Sequence, residues 1–339
     1  MAFVKNLLKY LRTFFDNFTI MLLVVVALAS FWPVQGQAAV IFDHVTNIAI
    51  ALLFFLHGAK LSPAALWQGL THWRLHLIIF ASTFVLFPIL GLALRPVFEP
   101  FLSPALYLGI LYICVLPSTV QSSIAFTSIA RGNVAAALVS ASASNILGMF
   151  LTPVLVGVFI STQFSDSSVN SGEAALNILV MLLAPFVLGQ LLRRHIVPII
   201  KRFPIMVKVV DQGSILLVVF AAFSEAINEG LWQQVAGSTL VALMVVCCVL
   251  LAIVMVALTY FSRAMKFSTV DEIAIVFCGS KKTLASGLPM AKILFVGHPI
   301  GMLILPLILF HQIQLVVCGI LAARYARRIE FDTTRVIET

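Results

Sequence analysis

Charge is what this sequence has least of. Only 21 Lys and Arg and 13 Asp and Glu occur among 339 residues, while 61% are hydrophobic and the mean hydropathy is +1.10. Soluble domains carry about 25% charged residues, so this inventory does not enclose a water-facing globule. Cysteine is scarce too. Cys114, Cys247, Cys248, Cys278 and Cys318 all fall in apolar runs without metal-ligand spacing, which excludes a disulfide scaffold and leaves them as small packing residues. No period-two alternation supports an outer-membrane barrel. HExxH, GxSxG and a phosphate-cradling loop are missing, and with them the commonest hydrolase and nucleotide-binding signatures.

What is present is a series of long apolar runs, at roughly 18–34, 43–60, 75–94, 104–130, 133–160, 174–192, 211–227, 234–262, 270–295 and 299–323. At about 20 residues per crossing, these are ten membrane spans, and the fold class expected is an all-α membrane protein. The Lys and Arg residues orient it. With the N-terminus cytoplasmic, Lys5, Lys9, Arg12, Lys60, Arg74, Arg131, Arg193, Arg194, Lys201, Arg202, Lys208, Arg263, Lys266, Arg324, Arg327, Arg328 and Arg335 all fall inside, 17 of the 21. Arg95 alone falls outside. Both termini are therefore expected in the cytoplasm, in a cell's inner membrane. The net charge of +8 reflects insertion and a weak attraction to the cytoplasmic leaflet, not a nucleic-acid partner. Cleavage of the first run as a signal peptide would break this count.

Two spans are interrupted. The fourth reads Leu116-Pro117-Ser118-Thr119-Val120-Gln121-Ser122-Ser123, where Pro117 removes a backbone donor. The ninth reads Cys278-Gly279-Ser280-Lys281-Lys282-Thr283-Leu284-Ala285-Ser286-Gly287-Leu288-Pro289. Each is the fourth helix in a set of five. Five is odd, so the second set (174–323) enters with opposite orientation to the first (18–160), and 324–339 is a cytoplasmic tail within one polytopic domain spanning 1–339. Paired breaks in inverted repeats point to a transport site at mid-membrane, because unwound backbone is tolerated in lipid only where protein or a watery cavity surrounds it.

Lys281 lies roughly 13 Å into a core about 30 Å thick, so snorkelling will not easily bring it out. A charge there marks a pathway or a paired site. The bland reading is that Lys281 or Lys282 pairs with the C-terminal carbonyls of a half-helix. Lys292 is expected to snorkel to the outer interface, and His57, His72, His76 and His311 to be interfacial rather than metal ligands. Asp211, Glu225, Asp271 and Glu272 fall near span ends, leaving the buried lysines without a carboxylate partner. Ala136, Ser140, Ser144 and Gly148 form a small-residue packing face. The candidate substrate- or ion-binding residues are Thr119, Gln121, Ser122, Ser123, Asn133, Asn145, Ser280, Lys281, Lys282 and Thr283. An intramembrane enzyme, with Ser280 activated by a neighbouring lysine, is the disfavoured alternative, since adjacent helical positions do not face each other.

The run Pro117 to Asn133, with Arg131-Gly132-Asn133-Val134-Ala135 opening the next helix, resembles the bile acid:sodium symporter family. So do Leu61-Ser62-Pro63-Ala64-Ala65-Leu66 and Ala184-Pro185-Phe186-Val187-Leu188-Gly189-Gln190. Phe277-Cys278-Gly279-Ser280-Lys281-Lys282 and Phe310-His311-Gln312-Ile313-Gln314 are similar to the branch containing the seventh human member of solute carrier family 10 and its bacterial relatives. The resemblance implies a panel domain (helices 1, 2, 6 and 7), a core domain whose helices 4 and 9 cross at their breaks, and uptake coupled to sodium. This chain departs from sodium-coupled members at the ligands. Ser122-Ser123 stand for Ser-Asn, Phe277 for a Glu, and Lys281-Lys282 for Gln-Asn. A lysine replacing a bound sodium ion follows as an expectation, with sodium-independent or proton-linked coupling. The expected function is a secondary carrier of a small organic anion; the alternative is a non-transporting regulator of ion homeostasis or envelope assembly on the same fold. No motif encodes the substrate or the oligomeric state.

Overall fold

The computed structural model describes residues 17–60, 72–159, 183–295 and 300–337. The Leu61 to Leu66 motif and the start of the expected sixth span lie outside them. The regular structure among the described residues is all helical, with no strand. In chain order the principal helices are α1 (Asn17–Phe31), α2 (Gly36–Lys60), α3 (Trp73–Ala93), α4 (Pro104–Val115), α5 (Gln121–Ile129), α6 (Val134–Phe159), α7 (Leu183–Leu191), α8 (Arg193–Arg202), α9 (Pro204–Asn228), α10 (Gly237–Ala264), α11 (Thr269–Gly279), α12 (Leu284–Leu294) and α13 (Ile300–Ile337).

Six of these helices, α2, α3, α6, α9, α10 and α13, are each long and apolar enough to cross a membrane. A seventh is obtained if α7 and α8 are taken as one span bent by 86°. The surface agrees with a lipid solvent: Ile48 is 69% exposed, Leu77 57% and Val256 68%, where a water-soluble protein would place polar groups. Some boundaries differ from the sequence reading. Helix α9 begins at Pro204 rather than near 211, because proline at the first helical position starts a helix without losing a bond. The expected tail from 324 continues α13 as helix as far as Ile337.

Packing depends on close backbone approach. A Cβ on Gly58 of α2 would lie 2.0 Å from the Phe186 carbonyl oxygen of α7, and one on Gly189 of α7 would lie 2.0 Å from that of Phe55. These reciprocal glycines set the α2–α7 spacing, as small residues do between membrane helices. Helix α9 packs on α1 and α2 and also touches α12 and α13, and α13 packs on α4. The small-residue face of α6 lies behind the first break: Ala136, Ser140, Ser144 and Gly148 are all buried, and a Cβ on Gly148 would meet Pro117 at 2.4 Å.

Gly189→Val is expected to cost at least roughly 1–3 kcal/mol by overpacking against α2, seen as a lowered melting temperature in detergent. Gly213→Ala, where nothing lies within 4 Å of the added carbon, should melt as the wild type does.

Candidate functional site

Both interruptions foreseen in the sequence are real breaks. Helix α4 ends at Val115 and α5 starts at Gln121; α11 ends at Gly279 and α12 starts at Leu284. A helix end leaves carbonyls without partners, and in an apolar setting each must be satisfied inside the protein. Here the two breaks satisfy each other. The Thr283 backbone N–H donates to the Pro117 carbonyl (3.0 Å), Ser118 Oγ donates to the Cys278 carbonyl (2.6 Å), and Ser123 Oγ to the Phe277 carbonyl (3.2 Å).

Neighbouring helices complete the arrangement. Ser144 Oγ of α6 accepts from the Ser118 N–H (3.1 Å), Thr152 Oγ1 donates to the Val115 carbonyl (2.9 Å), and Ser82 Oγ of α3 donates to the Gly279 carbonyl (2.9 Å). Gln314 of α13 grips the second break at both ends: its Oε1 accepts from the Lys282 N–H and its Nε2 donates to the Lys282 carbonyl, each at 3.0 Å. Thr283 caps α12 through the Ser286 N–H (3.4 Å), and Ser286 Oγ donates to Asn145 Oδ1 (3.1 Å).

The two lysines are both fully buried, and their surroundings differ. Lys282 Nζ donates to the carbonyls of Thr83 (2.8 Å), Cys114 (3.0 Å) and Leu116 (2.7 Å), and lies 4.1 Å from the Phe87 ring centroid. Three ammonium hydrogens meet three acceptors. Cys114 and Leu116 belong to the C-terminal end of α4, where the helix dipole favours a cation. Thr83 belongs to a π-helical turn, Ser82–Leu86, within α3; such a turn displaces carbonyls from the regular ladder, and Pro88 just beyond it withholds a further donor. Lys281 Nζ has no hydrogen-bond acceptor among the described residues. It sits 3.8 Å from the Phe126 ring centroid and 5.9 Å from that of Phe277. Phe126 follows Ser122 by four positions on α5, so the two share a helical face, and the buried Ser122 Oγ likewise has no partner among the described residues.

Of the ten candidates, Ser123, Ser280, Lys281, Lys282, Thr283 and Asn145 gather where the breaks meet or directly beside it. Ser280 Oγ donates to the Val276 carbonyl of its own helix (2.6 Å), not to a lysine. Thr119 is buried within the first break, while Gln121 is exposed at the start of α5. Asn133 is engaged elsewhere: its Oδ1 caps α6 through the Ala136 N–H (2.9 Å) and its Nδ2 donates to Asp271 Oδ1 (2.8 Å).

Three expectations about peripheral residues are corrected. Lys292 does not snorkel; its side chain is 11% exposed and its Nζ pairs with Asp43 Oδ1 of α2 at 2.6 Å. His76 and His311 are buried rather than interfacial. His76 Nδ1 lies 2.6 Å from Ser140 Oγ, and His311 Nδ1 lies 2.9 Å from Gln314 Nε2. Glu272 falls near a span end as expected, in the first turn of α11, where it is buried and takes two hydrogen bonds from Arg263 at 3.0 Å. Gln314, Ser118 and Thr83 were not among the candidates. An amide in an apolar span is the signal that Gln314 shares with Gln312, since a buried amide must find partners.

Broken helices, reciprocally capped and backed by a polar residue from each neighbour, define a class: polytopic membrane transporters built around discontinuous helices. Comparison with known proteins gives the family. Residues 16–327 match the SBF-like CPA transporter family, and the chain belongs to it. The chain is 57% identical over 313 residues to an uncharacterized protein of Pseudomonas aeruginosa, covering 92% of this chain and 93% of the relative. It is 53% identical over 315 residues to the candidate symporter YfeH of Escherichia coli (strain K12), covering 93% and 94%. Sodium/bile acid cotransporter 7 of Rattus norvegicus is 29% identical over 280 residues, 82% of each chain. The protein is thus a multi-pass membrane transporter of the bile acid:sodium symporter kind, in contact with the lipid bilayer.

Lys282→Met is expected to leave three buried carbonyls unsatisfied, at roughly 1–3 kcal/mol each, and to lower the melting temperature in detergent sharply. Lys281→Met removes a buried cation that has only ring contacts and should leave stability unchanged or raised.

Proposed function

We propose that this protein is a secondary active carrier of the inner membrane that moves a small organic anion by alternating access, without classical sodium coupling. In this reading ten spans form two inverted five-helix repeats, 18–160 and 174–323, with both termini and the 324–339 segment on the cytoplasmic side. The shorter helices α4, α5, α11 and α12 then form the two broken spans, α1 forms the first span, and α7 is the described part of the sixth.

The observation that carries the reading is the Lys281 ammonium, buried beside the meeting of the two breaks and over the Phe126 ring, with the Ser122 hydroxyl, which has no partner among the described residues, four positions before Phe126 on α5. A carboxylate or sulfate entering between α5 and α11 would accept from both. The aromatic rings of Phe126 and Phe277 would cover the apolar part of such a solute. Lys282 has a different role here. Its ammonium takes the carbonyl oxygens of Thr83, Cys114 and Leu116, while Ser118 and Ser123 spend their hydroxyls on the Cys278 and Phe277 carbonyls. This oxygen set does not fit a sodium ion at the same place, because a tethered cation already holds it.

Counterflow in proteoliposomes, with a panel of mono- and dicarboxylates and sulfate esters, tests the proposal. Uptake is expected to persist when choline replaces sodium, to fall roughly ten- to hundredfold in Lys281→Met, and to be partly retained in Lys281→Arg. An absolute requirement for a sodium gradient, or wild-type uptake by Lys281→Met, would overturn it. A folded wild type that moves none of these anions would favour the regulator instead.

A further inference from the structure

The segment Arg193–Arg202 reads as a loop in the sequence, yet it forms helix α8, set at 86° to α7. With α7 along the membrane normal, α8 lies in the membrane plane. It cannot lie within the hydrocarbon, because Arg193, Arg194, Lys201 and Arg202 stand at its two ends and each such charge is costly in the bilayer centre. Its two sides are distinct. Ile196, Val197 and Ile200 are half-buried, and the helix packs on α2; Arg194, His195, Ile199, Lys201 and Arg202 are exposed.

Where α8 ends and α9 begins, an apolar notch of about 510 Å³ opens. Phe203, Ile205, Met206 and Val209 line it, and Arg202 stands at its rim. Ile205 is 79% exposed and Met206 62%. No carboxylate occurs in the sequence between Glu173 and Asp211, and Asp211 is taken by Lys60. The cations of α8 therefore have no acidic neighbour on their own segment, and α2, packed against it, offers none that is free. Cations of this density beside an apolar notch, at membrane-plane level, are complementary to a lipid that carries both a negative headgroup and a chain.

We infer that α8 and the start of α9 form a binding site for an anionic phospholipid, with the phosphate on Lys201 and Arg202 and one acyl chain in the notch. The site anchors α9 to the leaflet it faces. This inference does not depend on the transported solute or on the role of Lys281.

Native mass spectrometry of the purified full chain, titrated with phosphatidylglycerol and with phosphatidylethanolamine, tests it. The wild type is expected to retain phosphatidylglycerol preferentially, and the double variant Lys201→Ala, Arg202→Ala to bind it roughly thirty-fold more weakly. Lys266→Ala, which removes an exposed cation from another connection, should leave retention unchanged. A wild type with no preference, a double variant that binds as the wild type, or an equal loss in Lys266→Ala would each overturn the site. Stabilisation by inorganic phosphate equal to that by phosphatidylglycerol would overturn the lipid assignment. As a second readout that does not need the double variant, Ile199→Trp in vesicles of brominated phosphatidylglycerol should be quenched; unquenched, water-like emission would place α8 off the membrane and overturn the inference.

Discussion

In a low-dielectric interior every backbone carbonyl needs a donor, and the centre of this protein is organised by that demand. Two helices stop in mid-course and expose their ends to each other. The carbonyl end of α4 is closed by the Lys282 ammonium, and that of α11 by hydroxyls from Ser82, Ser118 and Ser123. Because each break supplies donors to the other, neither survives alone, and a substitution in one reaches the second. The π-helical turn of α3 and the amide of Gln314 belong to the same arrangement, since each contributes a group that lies outside both broken helices. The polar interior is thus a single network, in which a half-satisfied member costs more than an apolar core would.

The moving parts of a carrier must meet through contacts that can open. Helix α9 lies against α1 and α2 and also against α12 and α13, so on the proposed reading it is where a panel and a core would slide. Its contact with α13 is made of small residues, with Gly301 so close to Ala226 that an added Cβ would lie 2.0 Å from that of Ala226. Beside it, Lys292 of α12 reaches Asp43 of α2. Helices α2 and α7 approach as closely, through the reciprocal glycines Gly58 and Gly189.

The membrane class, the places of both breaks and the burial of the lysines were legible in the sequence because hydropathy and proline act locally. Pro117 and Gly279 announce their breaks within a few residues of themselves. What was illegible depends on which elements are neighbours. Nothing in the order of residues says that the carbonyl of Thr83, 199 positions before Lys282, accepts a hydrogen bond from that ammonium, or that Asp43 pairs with Lys292. Lys292 was read as snorkelling because its partner lies on another helix. Helix α8 was missed for a different reason: its charges suppress the hydropathy signal, and only its half-buried Ile196, Val197 and Ile200 reveal that it has an inner side. Asn133 was a reasonable candidate by type, yet an amide near a helix start is as readily a cap, and capping is what it does here.

The adjacency of Lys281 and Lys282 has a physical sense that either residue alone would not have. In an unwound segment successive side chains diverge, so two identical groups one residue apart can face different helices. Lys282 faces α3 and α4, where fixed carbonyl dipoles stabilise its charge at no reorganisation cost, as a bound cation would be stabilised. A tethered cation does not dissociate, so on the proposed reading it holds the two breaks together and contributes no ion gradient to transport. Lys281 faces the Phe126 ring of α5 and, farther off, the Phe277 ring of α11, which offer attraction through their faces, and it has no hydrogen-bond acceptor among the described residues. A charge held so weakly is the one a diffusible anion has most to gain from. On the proposed reading the chain has therefore separated two duties that a single bound ion would combine, the structural one being permanent and the solute-binding one left open to exchange.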